Sequence, residues 1–178
     1  DEFANSSAPK NLCLFNKGDN INTISFNDGQ KNLSTKNLLF NIDKKTNNEV
    51  SFIHKVDSLR SIRQSYKLKK NSYEIDYDIE LIGFKDANGN TIQYEWESNL
   101  RKTEKLLSEQ RRVSTVCFEN KNEGFDYLSE TSDDDSDLED DINWVNYKQS
   151  YFSSFLRPEK AFKKSGSKLA IKNFEKSD

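Results

Sequence analysis

NSYEIDYDIELIGFKDANGNTIQYEWE, residues 71–97, carries the clearest structural pattern in the chain. Apolar and acidic residues alternate through its first half: Tyr73, Ile75, Tyr77, Ile79 and Leu81 against Glu74, Asp76, Asp78 and Glu80. A period of two places the first set on one face of a strand and the carboxylates on the other. Asn88-Gly89 favours a two-residue turn because both central positions require a positive φ. The stretch therefore predicts an antiparallel hairpin that returns through Thr91–Trp96.

The flanking segments predict more strands and a helix. Between residues 11 and 54, the runs LCLF, INTISF, LLFNI and VSFI are separated by Gly, Asn and Asp, which predicts up to four strands in a meander. Residues 98–112 have a thin leucine stripe and scattered charge, which predicts an amphipathic helix, and residues 113–118 predict a strand. We therefore expect an α+β domain over residues 11–128, with an antiparallel sheet over residues ~11–118 and one or two packed helices.

The sequence changes character after residue 128. SETSDDDSDLEDD, residues 129–141, has eight acidic residues among thirteen, and Leu138 is its apolar residue. Such a charge block predicts a disordered acidic loop. In INWVNYKQSYFSSFL, residues 142–156, the apolar residues lie near helical spacing, so we expect a C-terminal aromatic helix over residues 142–157. Residues 1–10 read as a disordered tail and residues 158–178 as a basic tail.

Composition bounds the class of protein. Hydrophobic residues make up 33% of the 178 residues, charged residues 32%, and the mean hydropathy is -0.94. No apolar run approaches the ~20 residues of a membrane span, so no membrane partner is expected. Cys13 and Cys117 form no CxxC pair and lie in apolar runs, which favours free thiols in a reducing compartment. The predicted localisation is intracellular, in the nucleus or cytoplasm.

The acidic tract and the neighbouring aromatic residues form the predicted partner-binding site. Its acidic members are Asp133, Asp134, Asp135, Asp137, Glu139, Asp140 and Asp141, and its aromatic anchors are Phe125, Tyr127, Trp144 and Tyr147. Acids steer encounters with basic surfaces, and buried aromatics dominate interface energetics. Thr131, Ser132 and Ser136 each have an acid three residues later, a pattern typical of sites for acidophilic kinases.

The acidic strand also allows a metal-site hypothesis. Residues 73–118 resemble the core of the PD-(D/E)xK nucleases, whose acidic strand, hairpin, second acidic strand and helix follow the same order. The resemblance implies that Asp78 and Glu95 are the metal carboxylates, but Glu97 stands where that family has lysine. One alternative function is therefore a metal-dependent nuclease of this kind or a degenerate nuclease-like domain. Glu74, Asp76 and Asp78 are the alternative metal ligands. Cross-strand lysines and arginines are the competing explanation of this carboxylate row, and no cofactor is expected.

These observations predict a non-enzymatic intracellular interaction module, eukaryotic, nuclear and phosphorylated. Its expected partner is a basic protein surface, such as a histone or another chromatin or ribonucleoprotein component. The acidic and aromatic segments resemble those of histone chaperones. One alternative is an adaptor subunit of a larger complex that docks through residues 142–156. Nucleic-acid contact through the basic segments 60–70 and 157–176 is another, and the acidic tract could equally bind the chain's own basic tail.

Overall fold

The computed structural model describes residues 14–84 and 91–173. Within these residues it has thirteen strands, one α-helix and one 3-10 helix. The chain divides into two compact units, Asp1–Leu100 and Arg101–Asp178, here the N-terminal and C-terminal units. The predicted α+β class with packed helices is therefore wrong, because the protein is mostly β-sheet.

The N-terminal unit is built from two antiparallel sheets. Its strands are β1 (Asn20–Asn27), β2 (Asn32–Ser34), β3 (Asn41–Lys45), β4 (Glu49–Lys55), β5 (Ser61–Leu68), β6 (Ile75–Ile82) and β7 (Gln93–Ser98), with the 3-10 helix Thr35–Asn37 after β2. One sheet has the order β2-β1-β7 and the other β3-β4-β5-β6. Of the four runs predicted as strands between residues 11 and 54, INTISF lies in β1, LLFNI overlaps the start of β3 and VSFI lies in β4. The described part of LCLF, Leu14 and Phe15, is not in a strand, and β2 was not predicted. The observed strands belong to two sheets and not to one meander.

A single apolar core joins the two sheets of this unit. Ile24 and Phe26 of β1 pack with Ile62 of β5 and with Phe84, which follows β6. Ile24 and Ile62 are fully buried, and the rings of Phe26 and Phe84 meet edge to face with centroids 5.2 Å apart. Because one cluster takes side chains from both sheets, the sheets pack face to face as a sandwich.

The predicted hairpin at residues 73–96 does not form. β6 pairs with β5, with Tyr77 opposite Tyr66, whereas β7 pairs with β1, with Tyr94 opposite Ile24. The Asn88-Gly89 turn lies outside the described residues. The alternation in β6 correctly predicted a strand and its two faces. It did not specify the partner, because the apolar row of β5 matches the β6 row equally well and lies next to it in the sheet.

The C-terminal unit has one short helix and six strands. These are α1 (Leu107–Val113), β8 (Thr115–Asn120), β9 (Gly124–Tyr127), β10 (Asp134–Asp137), β11 (Ile142–Lys148), β12 (Ser153–Leu156) and β13 (Lys168–Ile171). A four-stranded sheet has the order β12-β11-β8-β9, and β10 pairs with β13. Its core contains Val116, Phe118, Leu128, Ile142 and Val145.

The predicted C-terminal helix over residues 142–157 is instead the hairpin β11–β12. The apolar spacing suggested a helix because of a register irregularity between Ile142 and Trp144, at which β11 shifts against β8. A bulge turns Ile142 and Val145, three residues apart, toward the same core. The apolar spacing therefore imitates the i, i+3 spacing of a helix, although the backbone is extended.

The predicted helix over residues 98–112 is also much shorter. Ser98 ends β7, and α1 begins at Leu107. Between them an irregular segment is held by Gln110, whose side chain is buried. Its Oε1 accepts the backbone N–H of Thr103 at 2.7 Å, and its Nε2 donates to the carbonyl of Arg101 at 2.7 Å. These bonds replace the first helical turns that the leucine stripe predicted.

The acidic tract is not a disordered loop. Asp134–Asp137 forms β10, which pairs antiparallel with β13 of the basic tail, from Asp134 opposite Ile171 to Asp137 opposite Lys168. Leu138, Leu169 and Ile171 pack against the core of the C-terminal unit. Leu169 and Ile171, at alternate positions of β13, and Leu138, which follows β10, therefore anchor the two strands. Among the described residues, no helix is long and apolar enough to cross a membrane.

Candidate functional site: an aromatic face on the C-terminal unit

Some charges of the acidic tract are paired with lysines of the C-terminal unit. Lys168 pairs with Asp135, and Lys163 Nζ lies 2.8 Å from an oxygen of Asp141. The Lys163 ammonium and the Lys164 N–H hold the pKa of Asp141 below its usual value. Of the two arrangements that the sequence left open, the structure shows contact with the chain's own basic tail.

Other acids of the tract bind backbone groups. Asp133 accepts the N–H of Asn173 at 2.7 Å, Asp134 accepts the N–H of Ser129 at 2.7 Å, and Asp140 accepts the N–H and side-chain amide of Asn122 at 2.5 and 3.0 Å. Asp137 lies on β10, and the Glu139 carbonyl accepts Lys164 Nζ at 2.9 Å. The acidic tract is thus held in place by hydrogen bonds and ion pairs within the C-terminal unit.

The predicted modification sites lie within the acidic tract. The Ser132 hydroxyl lies 2.9 Å from that of Ser129, and the Thr131 N–H donates to the same Ser129 oxygen at 3.3 Å. Ser136 lies on β10, opposite Leu169.

Three of the four predicted aromatic anchors share one sheet face. In the register of the sheet, Glu119 of β8 is opposite both Phe125 of β9 and Trp144 of β11, so both rings lie on its face. Tyr127, two residues after Phe125, follows on that face. Tyr147, three residues from Trp144, falls on the opposite face and packs against the core.

A fourth ring, Phe155 of β12, completes what we call the aromatic face: Phe125, Tyr127, Trp144 and Phe155. The ring centroids of Trp144 and Phe155 are 5.0 Å apart, those of Phe125 and Trp144 6.1 Å, and those of Phe125 and Tyr127 6.2 Å. Such spacings are typical of interacting aromatic pairs. The helix prediction concealed Phe155, but the period-two spacing of Ser153 and Phe155 is the signal that could have found it.

The polar groups on this face have partners. Glu119 accepts the side-chain amide of Asn143 at 3.1 Å, and Lys148 Nζ donates to Glu130 at 2.8 Å. Ser153 donates to the side-chain oxygen of Asn146. Cys117, opposite Tyr127, is buried, and burial raises the pKa of its thiol. The face is therefore mainly a row of rings, with the hydrogen-bonded Glu119 carboxylate among them and Lys148 neutralised by Glu130.

The alternative metal ligands lie among basic partners. Lys69 Nζ is 2.7 Å from Glu74 and 3.2 Å from Asp76, and Asp78 is opposite Ser65 on β5. Glu95 lies on β7, in the other sheet from Asp78. Across residues 14–84 and 91–173, no group of three acidic, histidine or cysteine residues is arranged to hold a metal.

The basic segment 60–70 is also neutralised within the N-terminal unit. Arg60 pairs with Asp28 and Asp57 at 2.9 and 2.7 Å, and Arg63 with Asp43 and Glu80 at 2.9 and 2.8 Å. Together with the pairs of Lys69, these contacts match the cross-strand explanation of the carboxylate row. They remove much of the free positive charge that contact with phosphates would use.

The proteins to which this chain is similar are bacterial. It is 27% identical over 158 residues to the membrane protein insertase YidC of Bacteroides fragilis, covering 87% of this chain and 26% of that protein. The YidC of Phocaeicola vulgatus is 25% identical over 163 residues, covering 90% and 26%. That of Cytophaga hutchinsonii is 29% identical over 151 residues, covering 82% and 24%. The chain spans about a quarter of the length of these relatives.

Two further comparisons gave no match. No protein-family model matches the chain, and no solved structure gives a significant match.

These similarities correct the functional predictions. A eukaryotic, nuclear phosphoprotein that binds histones is contradicted, because the relatives are bacterial membrane protein insertases. The nuclease alternative is contradicted as well, and the two strands of its expected hairpin, β6 and β7, pair with β5 and β1. The adaptor alternative loses the helix through which it would dock. An intracellular localisation in nucleus or cytoplasm is contradicted, and the expectation of no membrane partner conflicts with the same relatives.

Proposed function

We propose that this chain is a mostly β-sheet segment of a bacterial membrane-protein-insertase-like protein, and that it contributes to membrane insertion from outside the lipid. The observation that carries the proposal is the extent of the similarity. Proteins named membrane protein insertase from three bacteria each align with 82–90% of this chain. Since the match extends through both units, it reflects the whole domain and not a short motif.

The charge distribution supports a position outside the hydrocarbon core. The outer side of the β3–β6 sheet carries Asp43, Arg63 and Glu80 in a partly exposed ion-pair network. β6 presents Asp76 and Asp78 on that same side, both exposed. Charged side chains are costly in hydrocarbon and are well solvated in water.

A domain exchange tests the proposal. The matching 158-residue segment of the Bacteroides fragilis relative is replaced by this chain. The parent, the hybrid, a form that lacks the segment and a form with an unrelated β-sandwich of similar length are reconstituted in vesicles, and insertion of a test membrane protein is measured. We expect the hybrid to insert it at close to the parent rate, and the other two forms to be slower.

Two results would contradict the proposal. A hybrid no faster than the form with the unrelated sandwich would show that this chain supplies nothing beyond a spacer. Equal rates for the parent and the deleted form would show that the segment makes no contribution to insertion.

A further inference from the structure

We infer that the aromatic face of the C-terminal unit docks a short apolar stretch of an extended polypeptide, namely the membrane protein being inserted. This inference deepens the proposed function and rests on it for the source of the polypeptide. It is carried by the exposure, the charge and the dimensions of the face.

The rings are exposed although they touch one another. Phe125 is 62% exposed, Tyr127 54% and Phe155 55%, and Trp144 between them is partly buried. A contiguous apolar patch of this kind marks a contact surface more often than isolated apolar residues do. Rigid rings also lose little conformational entropy when they are covered, so they are effective anchors.

The charges on and beside the face favour a neutral occupant. Glu119 and Lys148 already have partners on or next to the face, so a charged ligand would have to displace them. The Glu119 carboxylate lies between Phe125 and Trp144 and keeps its negative charge, because its partner Asn143 is a neutral amide, whereas Glu130 is paired with Lys148. Membrane surfaces attract aromatic patches that are flanked by basic residues, and the charge that these residues leave on the face is negative. An uncharged apolar polypeptide stretch breaks no ion pair there and is not repelled by the carboxylate.

The dimensions suit a few residues of chain. The face runs from β9 to β12 across four strands, or three spacings of about 4.8 Å, which gives a length of about 14 Å. An extended polypeptide at about 3.3 Å per residue covers that length with about four residues. Alternate side chains of the segment would then lie on the rings. Segments of membrane proteins are rich in such apolar runs.

Fluorescence of the purified chain tests the inference. With Trp96→Phe as the background, Trp144 is the sole tryptophan and reports directly on the face. The probes are a Leu/Ala-rich peptide with Ser/Gly ends, a Ser/Gly peptide of equal length, and vesicles of phosphatidylcholine with or without phosphatidylglycerol. We expect the apolar peptide to shift the Trp144 emission to the blue in a saturable way. The Ser/Gly peptide and the vesicles should leave the emission unchanged.

Matched variants separate the face from general hydrophobicity. Phe155→Ser removes an exposed ring, so the fold should persist, which circular dichroism checks, and peptide affinity should fall about tenfold or more. Tyr73→Ser removes a fully exposed ring from the N-terminal unit and should leave affinity unchanged. Equal losses in both variants, no response to the peptide, or a response to vesicles alone would overturn the inference. So would a face covered by a second copy, seen as dimerisation that Phe155→Ser abolishes.

The two proposals fail in different ways. If peptide binding survives but the hybrid insertase is inactive, the proposed function is wrong and the docking face stands without its assigned client. If the hybrid is active and Phe155→Ser affects neither peptide binding nor insertion, the docking inference alone is wrong.

Discussion

Replacing Gly83 with alanine should destabilise the N-terminal unit far more than the same change at Gly18. Both glycines have a positive φ, +76° at Gly83 and +93° at Gly18. A Cβ at Gly83 would lie 2.2 Å from the carbonyl oxygen of Leu59, whereas a Cβ at Gly18 meets nothing within 4 Å. The two positions therefore share the conformational cost and differ in the steric one.

The expected magnitude follows from these two costs. A left-handed conformation costs an L-residue about 1–2 kcal/mol, and the stiffer unfolded chain returns about 0.4–1 kcal/mol. Gly18→Ala should therefore cost about 1 kcal/mol. At Gly83 the neighbour is backbone, which moves only by disturbing the turn before β5, so overpacking should add about 1–3 kcal/mol. We expect the two variants to differ by about 2 kcal/mol.

Urea unfolding measures this difference. Because the two units can unfold separately, the background is Trp144→Phe, in which Trp96 of β7 reports on the N-terminal unit. With a denaturant slope of about 1–3 kcal/mol per molar, the midpoint of Gly83→Ala should lie about 1 M below that of Gly18→Ala. Midpoints within about 0.2 M of each other would refute the close approach of Gly83 to Leu59.

Ile142 is 1% exposed, so Ile142→Ala should cost the C-terminal unit about 2–5 kcal/mol in urea unfolding; a loss below about 1 kcal/mol would contradict its place in the core. Lys163 lowers the pKa of Asp141, so the stability from this carboxylate should be present above about pH 4 and be lost as pH falls through its folded pKa. Melting temperatures between about pH 6 and pH 3 should accordingly depend less on pH in Asp141→Asn, and an unchanged dependence would argue against the pair. Burial raises the pKa of Tyr94 to about 12. The contribution of its neutral phenol to the free energy of folding should therefore be present below about pH 10 and be lost as pH rises through 12. The difference in tyrosinate absorbance between the parent and Tyr94→Phe should appear near pH 12, and a difference that appears near pH 10 would refute the burial of Tyr94. Deleting residues 158–178 removes β13 and should increase binding of an apolar dye, and unchanged dye binding would show that this segment does not cover the core.

The local patterns predicted several strands of the first 120 residues, such as β1, β4, β6 and β8, but not their partners. Alternation correctly predicted β6, because the two faces of a strand are a property of consecutive residues. The pairing of β6 with β5, and of β7 with β1, depends on which apolar rows meet in the core. The Asn88-Gly89 signal favours a turn locally, but it carries no information about the sheets to which the flanking strands belong.

For the aromatic face as well, the sequence indicated individual residues but not their arrangement in the sheet. The sequence nominated Phe125, Tyr127 and Trp144 by residue type, and the structure places them together. Tyr147 lies on the opposite face from Trp144, because residues three apart in a strand point to opposite sides, and Phe155 joins the three rings from β12. A one-residue bulge cannot be read from apolar spacing alone, since a helix produces the same i, i+3 repeat.

Composition shows that the chain is rich in charge. The order of the residues shows that it has acidic and basic segments of opposite charge, and it predicts short strands in the first half of the chain. Only the tertiary structure decided that the acidic tract closes on the basic tail through β10 and β13, and which rings remain exposed. The physical reason is the range of the interactions. Side-chain direction repeats within a few residues, whereas strand pairing and burial depend on segments that are tens of residues apart in the chain.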